Sequence, residues 1–304
     1  MNILRCLLCL VFVVLSAAPA AAEKTMPPST LGQTVSVGDF AVVPLLDGPQ
    51  NFPLNRFNGA DEATMQQIAG GQSVPGAFNV FLIRHGKKRF LVDTGNGALL
   101  PGRTGQLPLC LKDAQTAPAT ISKIFITHLH GDHIGGLVKD GKPAFPKAKV
   151  YIAKAEYNFW MDDEAMRQAA ENSRMWFAPA REVVRVLEQN KLLVLFAPGD
   201  VLAPGIASVA LIGHTPGHTG FMLASKGKKL FFVGDLLHAA ALQMPRPDIT
   251  FYFDVDQNLA QETRLRTFKQ IAEDKIPIAG VHVPFPGTGL VRPDGNGYKL
   301  EALK

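Results

Sequence analysis

The chain has 304 residues, of which 47% are hydrophobic and 19% charged, with a formal net charge of +5. That is enough apolar material for one large α/β domain. The basic excess is too small and too scattered for a nucleic-acid surface, which would need a basic stripe with interleaved aromatics.

Residues 1–22 combine Arg5, an apolar run from Leu7 to Leu15 and the small residues Ala20-Ala21-Ala22. This is the pattern of a cleavable signal peptide, so a secreted or periplasmic protein beginning near Glu23 is expected, and residues 23–304 are read as one domain. The apolar run is too short to span a bilayer comfortably, so no stable membrane anchor is expected. Losing Arg5 lowers the charge to +4. Cys6 and Cys9 go with the signal, and Cys110 alone cannot form an intrachain disulfide. It is read as a semi-buried small residue, with an intermolecular bridge as the alternative.

Val35 to Leu46 alternates loosely and ends at Asp47-Gly48, which predicts a strand and a turn. Residues 49–76, rich in Pro, Gly, Asn and Gln, predict an irregular arm with one short helix over Glu62 to Ala69. Long arms of this kind serve as lids or as homodimer contacts. Phe52 and Phe57 on it either cover a pocket or pack the arm onto the body. Phe78 to Arg84 and Arg89 to Val92 predict a hairpin that runs out into Asp93-Thr94-Gly95, and residues 96–119 predict a loop. Lys87-Lys88-Arg89 and Lys226-Gly227-Lys228-Lys229 each lie between two apolar runs, so both are expected to be solvated hairpin turns.

The β-branched run before Thr127 predicts a buried strand, and it leads into His128-Leu129-His130-Gly131-Asp132-His133. On an extended chain His128 and His130 project to one side while Leu129 turns to the core. Two neutral imidazoles on one side form half of a metal site. Gly131 lets the chain turn, so that Asp132 and His133 are presented from a helix beginning near Ile134 toward a second metal. Imidazole and carboxylate are the ligands that zinc and similar divalent ions favour, and four of them in six residues are hard to explain as packing.

Lys149 to Ala153 predicts the next strand, followed by helices over Glu156 to Met166 and Ala180 to Gln189 with a break at Pro179. Aromatics at helical spacing are commonly core; two tryptophans in one segment also fit a pocket wall, with Trp160 and Phe177 as the candidates. Leu192 to Phe196, Val209 to Ile212, Gly220 to Ala224 and Leu230 to Val233 predict four strands. Asp254 to Asp274 predicts an amphipathic helix with Leu265, Phe268 and Ile271 on one face, and Ile278 to Val281 a last strand. Strands and helices in this order support a mixed α/β layer fold.

His-x-His-x-Asp-His after an apolar strand resembles the signature of the metallo-β-lactamase-fold hydrolases. Thr215-Pro216-Gly217-His218-Thr219, Phe232-Val233-Gly234-Asp235 and Gly280-Val281-His282-Val283-Pro284 continue that family's order. The resemblance implies an αββα sandwich and a dinuclear site: His128, His130 and His218 on one ion, Asp132, His133 and His282 on the other, and Asp235 bridging them. It places Asp93 beneath the metals, where its carboxylate would steady ligand imidazoles. Two divalent cofactor ions, zinc foremost, would give a metal-bound hydroxide that attacks a small-molecule ester, lactone or phosphotriester. Asp132 and Asp235 would then be catalytic as well as ligating. The segment Gly234-Asp235-Leu236-Leu237-His238 is most similar to the exported branch containing methyl parathion hydrolase and related lactonases. The acylhomoserine lactonases of the family generally carry Tyr where this chain has His238, which would be either a proton donor to the leaving group or a supporting residue. Alternatives on the same fold are an iron-dependent oxidoreductase of the persulfide dioxygenase type, a glutathione thioester hydrolase and a metal-binding protein without catalysis.

Overall fold

A computed structural model describes residues 31–98 and 104–303. The expected signal peptide lies outside the described residues, and no helix among these is long and apolar enough to cross a membrane.

Two seven-stranded sheets follow one another along the chain. The first contains β1 (Val35–Val37), β2 (Phe40–Pro53), β3 (Ser73–His85), β4 (Lys88–Val92), β5 (Ile121–Phe125), β6 (Lys149–Ala153) and β7 (Leu193–Phe196), in that spatial order. Its first four strands are antiparallel, and β4 through β7 are parallel. The second contains β8 (Val201–Ala203), β9 (Ile206–Ala210), β10 (Thr219–Ser225), β11 (Lys228–Gly234), β12 (Pro277–Gly280), β13 (Thr288–Asp294) and β14 (Gly297–Ala302), again in order. Only β11 and β12 are parallel there.

Side chains alternate across a strand, so each sheet feeds two cores. Phe81 and Ile83 of β3 meet Phe125, Phe221 and Phe232 between the sheets. Their neighbours Val80 and Leu82 face outward, onto helices α2 (Leu107–Asp113) and α5 (Phe177–Gln189). Beyond the second sheet, Phe231, Val233 and Ile278 pack on Phe268 and Ile271 of α6 (Gln257–Glu273). This is the αββα sandwich, with the parallel strands delivering their C-terminal ends to one edge.

The structure departs from the sequence-based expectations at several places. Asp47-Gly48 is not a turn: β2 continues to Pro53 through a bulge, and pairs with β3 as far as Ser73. The buried Asp47 carboxylate instead accepts the backbone N–H groups of Asn96, Gly105 and Leu107. Much of the arm is therefore strand, and α1 (Glu62–Ala69) lies where expected, capped by Asp61. Residues 96–119 contain α2, whose Cys110 is buried, not semi-buried, with its thiol on the Leu46 carbonyl. The helix expected over Glu156 to Met166 is two, Lys154–Met161 (α3) and Asp163–Gln168 (α4), because the Asp162 side chain caps the second. Pro179 does not break a helix but occupies the first turn of α5, where its missing N–H costs nothing. On α6 the buried face runs through Thr263, Arg264, Phe268 and Ile271, leaving Leu265 exposed. β12 is not the last strand, since β13 and β14 follow it. Both basic clusters do lie at hairpin ends, β3–β4 and β10–β11.

Candidate metal centre

β5 ends at Phe125, and an irregular segment that bends at Thr127 leads to His130, whose backbone is extended, before a one-turn helix over Gly131–Ile134. The helix thus begins three residues earlier than expected. Leu129 is buried in the helix-side core, which turns His128 and His130 the other way. His128 Nε2 and His130 Nδ1 lie 2.9 Å apart.

The third imidazole of this group belongs to His214, not His218. His214 Nε2 is 3.2 Å from His128 Nε2 and 3.0 Å from His130 Nδ1. Asp235 Oδ2 completes the group at 3.3 Å from His214 and 3.6 Å from His128. Both ring nitrogens of His218 are already committed: Nδ1–H donates to the Leu211 carbonyl at 2.8 Å, and Nε2 accepts the Asp235 N–H at 2.9 Å. No lone pair is left for an ion. His218 is a prop under the turn that carries Asp235, and it requires Gly234, where a Cβ would come within 2.5 Å of Nε2.

A second group gathers Asp132, His133, Asp235 and His282. His133 Nε2 is 3.2 Å from Asp235 Oδ1, and His282 Nε2 is 3.1 Å from Asp235 Oδ2 and 3.3 Å from Asp132 Oδ2. Asp235 is therefore common to both clusters, the position expected of a bridge.

These residues fit divalent ions on their own chemistry. Four ligands of a tetrahedral zinc stand about 3.3 Å from one another, from the usual ~2.0–2.1 Å bonds; five of the six ligand-atom pairs of the first cluster are 2.9–3.6 Å apart, and all lie within 4.8 Å. Tautomers agree as well. Nδ1–H of His133 donates to Asp93, of His214 to Asp254 and of His282 to the Ala77 carbonyl, which turns each Nε2 lone pair inward. His133 Nε2 and Asp235 Oδ1 are buried without a hydrogen-bond partner. Without an ion the same convergence holds protons. Burial would lower the His214 and His282 pKa values, but Asp235 together with Asp254 or Asp132 raises both to about 9. Burial pushes His218 down to about 3 and His238 to about 4.

The support around the clusters was only partly legible. Asp93, in a left-handed backbone conformation (φ 57°), holds Thr127 N–H, Thr127 Oγ1 and His133 together, beneath the ligands as expected. Asp254, which steadies His214, was not singled out in the sequence. It accepts the Phe251 N–H and lies 3.8 Å from the buried Arg264 guanidinium. A turn bearing two histidines four residues apart, with an aspartate opening the α6 segment, was the available signal. His238 turns its Nε2–H onto Asp235 Oδ2 at 3.1 Å, its backbone N–H onto Gln243, and its ring onto Phe251 at 4.0 Å.

Above the clusters opens a cavity of about 610 Å³. Its wall includes Phe52, Phe78, Met175, Trp176, Phe251 and Phe253, with Gln50 and Arg56 also on the lining. The Arg56 guanidinium lies over the Tyr252 and Phe253 rings. Of the expected wall residues, Phe52 lines the cavity. Phe57 packs the arm against Phe251. Trp160 and Phe177 are fully buried behind the wall, and Trp160 stands edge-on to His130 at 5.5 Å. The wall tryptophan is Trp176, which sequence reading passed over.

Residues 74–280 match the metallo-beta-lactamase superfamily. The hydrolase AbOPH of the beta lactamase superfamily superposes with a TM-score of 0.84 at 28% identity, over 90% of this chain and 98% of that one. AidC, a dizinc quorum-quenching lactonase, gives a TM-score of 0.83 at 26% identity, over 91% and 98% of the two chains. A probable metallo-hydrolase of Mycobacterium tuberculosis is 25% identical over 224 residues, 67% of this chain and 69% of that one. A hydroxyacylglutathione hydrolase of Vibrio campbellii is 31% identical over 173 residues, 56% of this chain and 51% of that one.

Proposed function

The chain belongs to the metallo-beta-lactamase superfamily, and from that premise we propose that it is an exported dizinc hydrolase of neutral, hydrophobic esters, lactones or phosphotriesters. The observation that carries this reading is the pair of His/Asp clusters sharing Asp235 at the foot of an aromatic-walled cavity. Two divalent ions, when bound, supply Lewis acidity and a water whose proton is lost near neutral pH.

The chain's own residues supply the rest. His128, His130 and His214 would hold one ion, Asp132, His133 and His282 the other, with Asp235 available to both. Phe52, Trp176 and Phe253 exclude bulk water and offer apolar contact to a substrate's non-reacting part. Arg56, braced by two rings, faces the cavity as a donor for a carbonyl or phosphoryl oxygen. His238 steadies Asp235, and its low pKa keeps it neutral at pH 7.

Metal analysis of the purified protein is expected to give close to two ions per chain, with hydrolysis of nitrophenyl esters, a lactone or a phosphotriester. Asp235→Ala is expected to hold the pair poorly and to lose activity. Turnover of RNA without esterase activity would overturn the substrate class. Glutathione thioesters belong in the same panel because of the partial likeness to a hydroxyacylglutathione hydrolase, and little turnover is expected from so apolar a wall. Export is supported by residues 1–22; N-terminal sequencing of the protein recovered from outside the cytoplasm should begin near Glu23.

A further inference from the structure

Glu156 ligates nothing in either cluster, yet it is only 1% exposed and collects four donors. Its Oε1 accepts the Leu129 N–H at 2.9 Å and the Trp160 indole N–H at 2.5 Å. Its Oε2 accepts the Thr215 hydroxyl at 2.7 Å and the Gly217 N–H at 2.9 Å. A carboxylate has about four lone-pair sites, so this one is saturated.

Apart from Trp160, which stands on the same helix as Glu156, the donors come from two chain segments. Leu129 lies between His128 and His130, whereas Thr215 and Gly217 belong to the turn that follows His214. The two segments lie far apart in sequence, and Glu156 ties them together on the side away from the cavity. Gly217 makes room for this, since a Cβ there would fall 2.1 Å from the Glu156 nitrogen. Trp160, one helical turn on, presses its ring edge-on against His130. None of these hydrogen bonds involves Asp132, His133 or His282.

We propose that Glu156 is a positioning residue that sets the spacing of His130 and His214, and so tunes the metal affinity of the three-histidine cluster alone. The proposal rests on the reading of the two clusters as metal sites. A Glu156→Gln side chain keeps the shape but offers one acceptor oxygen. If that oxygen serves Leu129 and Trp160, the amide N–H₂ confronts the Gly217 N–H, and the two segments part.

The test is titration of metal-stripped protein with Zn²⁺ against a chromogenic chelator, and with Co²⁺ followed by its visible absorption. Wild type should take up two equivalents. Glu156→Gln should keep one equivalent at wild-type affinity and bind the other about 10- to 100-fold more weakly, the usual cost of losing an outer-shell partner. Thr215→Val, which removes a single donor, should weaken the same equivalent by less, and it decides the matter if Glu156→Gln does not fold. In a His282→Ala background, where the three-histidine cluster is left alone, Glu156→Gln should weaken the remaining equivalent and alter the Co²⁺ spectrum. Equal weakening of both equivalents, or no change in either, would overturn the proposal. Fewer than two equivalents in wild type would instead defeat the two-site reading beneath it.

Discussion

The turn Gly213-His214-Thr215-Pro216-Gly217-His218 carries two imidazoles with opposite duties, and the atoms they face separate them. His214→Ala should remove one ion of the pair, because it takes away an inward lone pair. His218→Ala should retain two ions at saturating metal and lose about 1–3 kcal/mol of stability, since the buried Asp235 N–H is left without its acceptor. Metal content and thermal melting of the two variants check this together. His238 is a similar case. Its Nε2–H is spent on Asp235, so His238→Ala should slow nitrophenolate and alkoxide leaving groups alike, with weaker metal retention. A proton donor would instead show about a 10²- to 10⁴-fold loss confined to the poor leaving groups, a contrast that steady-state kinetics on a leaving-group series resolves. Most of the ligands were legible because His128, His130, Asp132 and His133 crowd into six residues. His214 was not, because local spacing cannot say which imidazole of a turn faces inward. The group that decides it, Asp254, lies 40 residues downstream.

Among the elements, legibility followed apolar pattern. The buried parallel strands β4 to β6 read clearly, each being β-branched or aromatic and short. β13 and β14 escaped notice because Arg292, Asp294, Lys299 and Glu301 interrupt them; β14 is the edge strand of its sheet, and β13 pairs with β12 only as far as Leu290. The arm read as irregular because Pro49 and Pro53 argue against a strand, whereas the long pairing of β2 with β3 overrides that preference. This pairing places Phe52 over His282, with ring centroids 5.4 Å apart, and so makes the arm part of the cavity wall. The opposite wall is Trp176, at the start of α5, tilted against His130 and edge-on to Phe253. Trp176→Ala should raise KM for aryl substrates about tenfold with kcat nearly unchanged, the mark of lost uniform binding. A fall in kcat at constant KM would mean that the indole acts on the reacting centre instead.

For the molecule as a whole, the two sheets gather buried carboxylates that favour positive charge at the centre between them. In metal-stripped protein His214 and His282 keep protons up to about pH 9, against an ordinary value of 6.5. The stability those protons contribute is complete below about pH 6.5 and is lost as pH rises through 9. Melting temperature of the stripped protein should therefore fall across that window, while the metal-loaded protein should hold steady. Calorimetry with and without chelator gives the comparison, and a flat profile for the stripped protein would contradict it. The layer order itself was legible in outline, since strands in two groups with helices between and after them leave few alternatives. What sequence could not supply was the closure of the cavity, which is made by residues as distant as Gln50, Met175 and Phe253. That division of labour bears on descent. Gln50, Arg56 and Met175 contribute to the cavity lining but ligate nothing, so drift or selection there can retune substrate preference while the ion pair is preserved. New specificities in this lineage should accumulate first on the arm and at the head of α5, with the histidine-bearing turns left unchanged.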